Sequence, residues 1–205
     1  MRILPDPYVL AFLLADAVAL LLCYNRLLAA MEGGFSCFRG AHSTFEMLGN
    51  NYVCASVRIV LLLLLPFYAL TLSLTGLSKV GFFRTVAVLA GLLLLRKLVF
   101  LLLGWIASRQ GAFRSLERAG NTIAVLGILF SVPAAVAVWF APSLPLTLAW
   151  GWLALVTAAG VVFYVLRGNS IILSTGFSVF FWVLYLCTLE FLPICVVVNI
   201  LINGN

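Results

Sequence analysis

Arg96 and Lys97 stand next to each other in the middle of VAVLAGLLLLRKLVFLLLGWI, residues 86–106. A helix of about 20 mostly apolar residues crosses a bilayer, so this stretch reads as a span with two adjacent charges near its centre. On the insertion scale each such charge costs roughly 2.5–3.5 kcal/mol, and both therefore need partners or water. Two acids occupy comparable places in other apolar segments, Asp16 and Glu190. The sequence predicts a bundle arranged around an intramembrane cluster of Asp16, Arg96, Lys97 and Glu190.

Composition supports the membrane setting. Hydrophobic residues are 65% of the chain and charged residues only 9%, against about half and about a quarter in a soluble domain. Long unbroken apolar runs give helices, whereas barrel strands alternate. The expected fold is all-α, a polytopic transmembrane helix bundle forming one domain over residues 1–205. Its six expected spans are 8–24, 52–74, 86–106, 120–141, 146–166 and 177–202. A cleaved signal peptide is the rival reading of the first, but Asp16 inside the run and the lack of a clear A-x-A site argue against it.

Residues 25–51 form the longest polar stretch. Gly33 and Gly34 are expected to break any continuous helix there, leaving an interfacial segment with Phe35, Phe38 and Phe45 in the headgroup layer. Arg58 is expected to snorkel from the start of the second span. Pro66, Pro133 and Pro193 each remove a helix hydrogen bond and predict kinks. Residues 107–119 read as a basic loop. Small residues recur at Gly120, Ala124, Gly127, Ser131 and Ala135, and again at Gly151, Ala154 and Ala158. Such stripes predict close packing between the fourth and fifth spans. Trp139, Trp150 and Trp152 cluster near the turn between those spans and mark one membrane surface.

Few chemical motifs accompany this architecture. The net charge of +6 is scattered, and two of the bases lie inside a span, which excludes a nucleic-acid surface. The five cysteines, Cys23, Cys37, Cys54, Cys187 and Cys195, make no CxxC pair or metal-ligand spacing and read as buried thiols. His42 and Glu46 are spaced i, i+4, but two ligands do not make a metal site. No HExxH, GxGD or GxSxG motif is present, so no catalytic residue, metal or cofactor is assigned. The first functional expectation is a non-enzymatic scaffold or assembly subunit of an envelope complex, with the lipid bilayer and a membrane protein as partners. The alternative is a small transporter or ion- or proton-conducting protein using the charge cluster; an intramembrane enzyme ranks last.

Tyr185-Leu186-Cys187-Thr188-Leu189-Glu190, followed by Leu192-Pro193, resembles the C-terminal signature of a family of Bacteroidetes integral membrane proteins of unknown function. The Arg96-Lys97 pair running into Leu103-Gly104-Trp105 is similar to that family, as are Asn121, Gly127 and Pro133. The likeness covers roughly residues 52–202. Residues 200–205 depart from it in lacking a basic tail. The resemblance implies the inner membrane of a Gram-negative envelope and no particular chemistry.

Basic residues set the expected orientation. The first, third and fifth links hold Arg26, Arg39, Arg109, Arg114, Arg118 and Arg167, whereas the N-terminal tail and second link hold Arg2, Lys79 and Arg84. The richer side is expected to be cytoplasmic, with both termini periplasmic. In a variant lacking the native cysteines, a membrane-impermeant thiol reagent is expected to label a cysteine at Asn205 and miss one at Arg114. Efficient external labelling at Arg114 reverses the orientation.

Overall fold

A computed structural model of the chain describes residues 7–39, 49–75, 81–106, 110–140, 145–174 and 199, nearly all of them helical. Among these residues the elements in chain order are α1 (Pro7–Leu22), α2 (Tyr24–Arg39), α3 (Asn51–Leu74), α4 (Phe82–Ile106), α5 (Gln110–Phe140) and α6 (Leu146–Ser174). Helices α3 to α6 are each long and apolar enough to cross a membrane. The pair α1–α2, bent by 77° at its break, makes a fifth if it is counted as one span. The sixth expected span, 177–202, lies outside the described residues except for Asn199, and Glu190 and Pro193 lie outside them too.

Local chemistry explains several boundaries. Asn50 caps α3, its side-chain oxygen accepting from the N–H groups of Tyr52 and Val53 at 3.0 and 3.4 Å. Pro66 and Pro133 lie inside α3 and α5, which continue through them as single helices. Near Pro133 the carbonyl of Phe130 accepts from the Trp152 indole at 2.8 Å. Trp150 likewise donates to the carbonyl of Thr75, also at 2.8 Å, tying α6 to the end of α3. Two of the tryptophans expected to mark a membrane surface thus fasten helices together.

Four sequence expectations change. The 107–119 stretch is helical from Gln110, so Arg114, Glu117 and Arg118 ride on the first turns of α5. An apolar span with a polar extension simply continues as one helix. Gly33 and Gly34 do not break α2. They are buried with Ala29 and Ala30 on one face, and this small-residue face lets α2 approach α3 and α5 closely. A side chain at Gly34 would meet Leu126 at 2.8 Å.

The third correction concerns α5 against α6. These helices do pack, but through Ala134 and Val138 against Ala149 and Leu153. Gly151, Ala154 and Ala158 are exposed on another face of α6. One residue of helix is about 100° of rotation, so the stripe beside Leu153 turns away. A β-carbon at Gly127 would meet nothing within 4 Å.

Lastly, the organising helix is α5 and not α4. Helix α5 lies against α2, α3, α4 and α6. It supplies Val125 and Ile128 to the cluster around Val60, and Phe113 and Leu116 to the cluster around Phe100. Helix α4 buries only Thr85, Phe100 and Gly104. Away from the layer of Arg96 and Lys97 it is apolar on all sides, and most of its surface can border lipid.

The contrast between Gly34 and Gly127 is testable by melting in mild detergent. Gly34→Ala is expected to destabilise the fold by about 1–3 kcal/mol, the usual range for overpacking. Gly127→Ala is expected to leave the melting temperature near that of the parent.

Candidate anion-binding groove

The site is built from one end of the bundle. Helices α4 and α5 form a hairpin in which Gly104 lies against the Gln110 backbone. Moving away from that turn, Phe100 packs on Phe113 and Leu116, and then Arg96 faces Gly120. Glu117 lies about 10 Å along α5 from its start, and Gly120 about 15 Å, at 1.5 Å per residue. Helix α3 brings Arg58 to the same level, where its guanidinium pairs with Glu117 at 3.7 Å. The Glu117 side chain is 9% exposed and that of Arg58 is 48% exposed.

Arg96 lies under two rings, its guanidinium carbon 5.4 Å from the centroid of Phe100 and 5.1 Å from that of Tyr164. Desolvated contacts of this kind are worth about 2 kcal/mol or more. Gly120 makes them possible, because a methyl group there would overlap the guanidinium. Lys97, turned about 100° from Arg96, is exposed and forms no ion pair among the described residues.

These groups line one cavity of about 260 Å³ between α3, α4 and α5. Its polar lining is Arg58, Arg96, Lys97, Glu117 and Asn121. Among the described residues, three bases face one acid. Leu62 and Leu94, both strongly exposed, frame the opening. A guanidinium fork and an ammonium beside it suit an oxyanion with several acceptor oxygens.

The sequence-derived residues divide accordingly. Arg96 and Lys97 share the groove. Asp16 lies elsewhere: Phe12, one turn before it, touches Phe82 and Phe83 at the start of α4, roughly 20 Å along the helix from Arg96. Asp16 Oδ2 is buried without a hydrogen-bond partner, as is Asn169 Oδ1 on α6. Glu190 lies outside the described residues, as do His42 and Glu46. Among the described residues no group of three potential metal ligands occurs, and Cys23 and Cys54 carry thiols. The pairing of Arg58 with Glu117 is missing from the sequence reading, which placed one at an interface and the other in a loop. The signal was there: both stand about two turns beyond the starts of α3 and α5.

No family model, curated protein or solved structure matches the chain.

Glu117→Gln is expected to destabilise the protein by about 1–3 kcal/mol. That is below the cost of breaking a fully buried pair because Arg58 is half exposed. Adding Arg58→Gln is expected to recover part of the loss, as read from a double-mutant cycle of melting temperatures; strict additivity would remove the pair from the energetics.

Proposed function

We propose that the protein is a non-enzymatic, multi-pass protein of a bacterial inner membrane that binds an anionic lipid headgroup between α3, α4 and α5. The observation carrying this reading is the convergence of Arg58, Arg96 and Lys97 on one cavity where, among the described residues, Glu117 supplies the one carboxylate. A protein that uses its intramembrane charges, as in the transporter or ion-conducting alternative, fits this geometry better than a passive scaffold, because a scaffold has no need for three bases around a void. The opening between Leu62 and Leu94 gives lateral access from the bilayer.

The groove is on the side of the α4–α5 turn, where Arg114 and Arg118 also lie. By the positive-inside rule this is the cytoplasmic side, with both termini periplasmic. The cytoplasmic leaflet carries the anionic lipids, and each base near them contributes about 1 kcal/mol of attraction. The Gram-negative setting rests on the resemblance of the 185–193 signature.

A scaffold role keeps one supporting observation, the exposed Gly151, Ala154 and Ala158 face of α6, where a partner helix can approach closely. Purified protein in nanodiscs separates the readings. It is expected to melt higher in phosphatidylglycerol than in phosphatidylcholine, with most of that gap lost in Lys97→Gln and no change for the variant in phosphatidylcholine. Equal melting in both lipids, together with a stoichiometric protein partner in mild detergent, would favour the scaffold.

A further inference from the structure

A second cavity adjoins the groove. It measures about 280 Å³ and lies within α3 to α6, and Arg96, Leu61 and Leu93 line both spaces. The small-residue stripe of α5 creates it: Gly120, Ala124, Gly127 and Ser131 all border this chamber. Side chains that would permit close helix contact leave a void here, as the open space beyond Gly127 shows.

The chemistry of the walls selects the occupant. Protein interiors hold few voids larger than one water, and a buried water needs two to four polar partners. The chamber offers little to meet that need, since its walls are mostly aliphatic and the hydroxyls of Ser131 and Thr157 are engaged. Ser131 donates to the Ile128 carbonyl at 2.6 Å and Thr157 to the Leu153 carbonyl at 2.7 Å. Hydrocarbon fills such a space and restores the dispersion contacts that an empty wall lacks. At the junction the Arg96 guanidinium, held by Phe100 and Tyr164, marks where the apolar chamber gives way to the polar groove with Lys97 and Arg58.

We propose that the groove and chamber form one site for an anionic phospholipid, with its phosphate at Arg58, Arg96 and Lys97 and one acyl chain running past Arg96 into the chamber. This rests on the groove reading above and adds the path of the chain. The shared chemistry at the groove is an oxyanion, which a free phosphate also offers; the apolar chamber favours the lipid.

The test uses the full chain in nanodiscs with a phosphatidylglycerol bearing a photoactivatable diazirine near one chain end. Crosslinks are expected on chamber residues, Tyr68 and Leu153 among them. Excess unlabelled phosphatidylglycerol is expected to suppress them, and inorganic phosphate to leave them in place. Gly127→Leu, which fills the chamber without touching the groove, is expected to abolish the chamber crosslinks while the phosphatidylglycerol-dependent rise in melting temperature persists. Val156→Phe serves as the second filling variant and decides the matter if Gly127→Leu does not fold. Crosslinks confined to Leu62, Leu94 and other lipid-facing positions, or chamber crosslinks indifferent to both fillings, overturn the chain path while leaving the groove standing. Competition by inorganic phosphate alone assigns the groove to a free anion and also overturns it. Failure of the groove itself is distinct: Lys97→Gln then changes neither crosslinking nor lipid-dependent melting.

Discussion

A guanidinium within a hydrocarbon layer has to be given surroundings other than hydrocarbon, and three helices of this bundle are shaped around Arg96. Gly120 withdraws its side chain, while Phe100 and Tyr164 present ring faces from α4 and α6. The negative face of each ring meets the delocalised charge. Helix α5 can therefore run through the centre of the fold while its neighbours bring charge to it. The ion pair of Arg58 with Glu117 closes the same layer from α3.

The polar layer divides the bundle into two unlike parts. Toward the α4–α5 turn, packing is between large side chains, with Phe113 and Leu116 filling the space beside Phe100. Beyond Arg96 the contact surfaces are small, and the helices enclose a chamber before closing again where Ala134 and Val138 meet Ala149 and Leu153. The fold is tight at both ends and open between them, an arrangement suited to receiving something long and thin.

The broad plan was legible in the sequence because hydrocarbon leaves the backbone few choices. Helices through the apolar runs, the start of α3 at Asn50 and the shared location of Arg96 and Lys97 all follow from local chemistry. Rotation about each helix was not legible. Gly151, Ala154 and Ala158 satisfy the spacing of a contact face, yet Leu153 beside them is the residue buried. In a helix that is apolar all round, no polar stripe records which side faces lipid. The same lack of contrast hides the peripheral place of α4, which touches the rest of the bundle mainly around Arg96 and Phe100. Gly33 and Gly34 failed in the opposite direction. Read with soluble-helix propensity they are breakers, but with Ala29 and Ala30 they repeat the small-xxx-small spacing of membrane contacts.

The placement of α2 also constrains how the chain is made. Its packing face meets α3, which follows soon after, and Leu126 of α5, which leaves the ribosome far later. Until α5 arrives, one side of that alanine–glycine face has nothing to rest against. The charges of Arg26 and Glu32 meanwhile weigh against α2 entering lipid on its own. The seat of α2 is thus completed only once α5 is in place beside it.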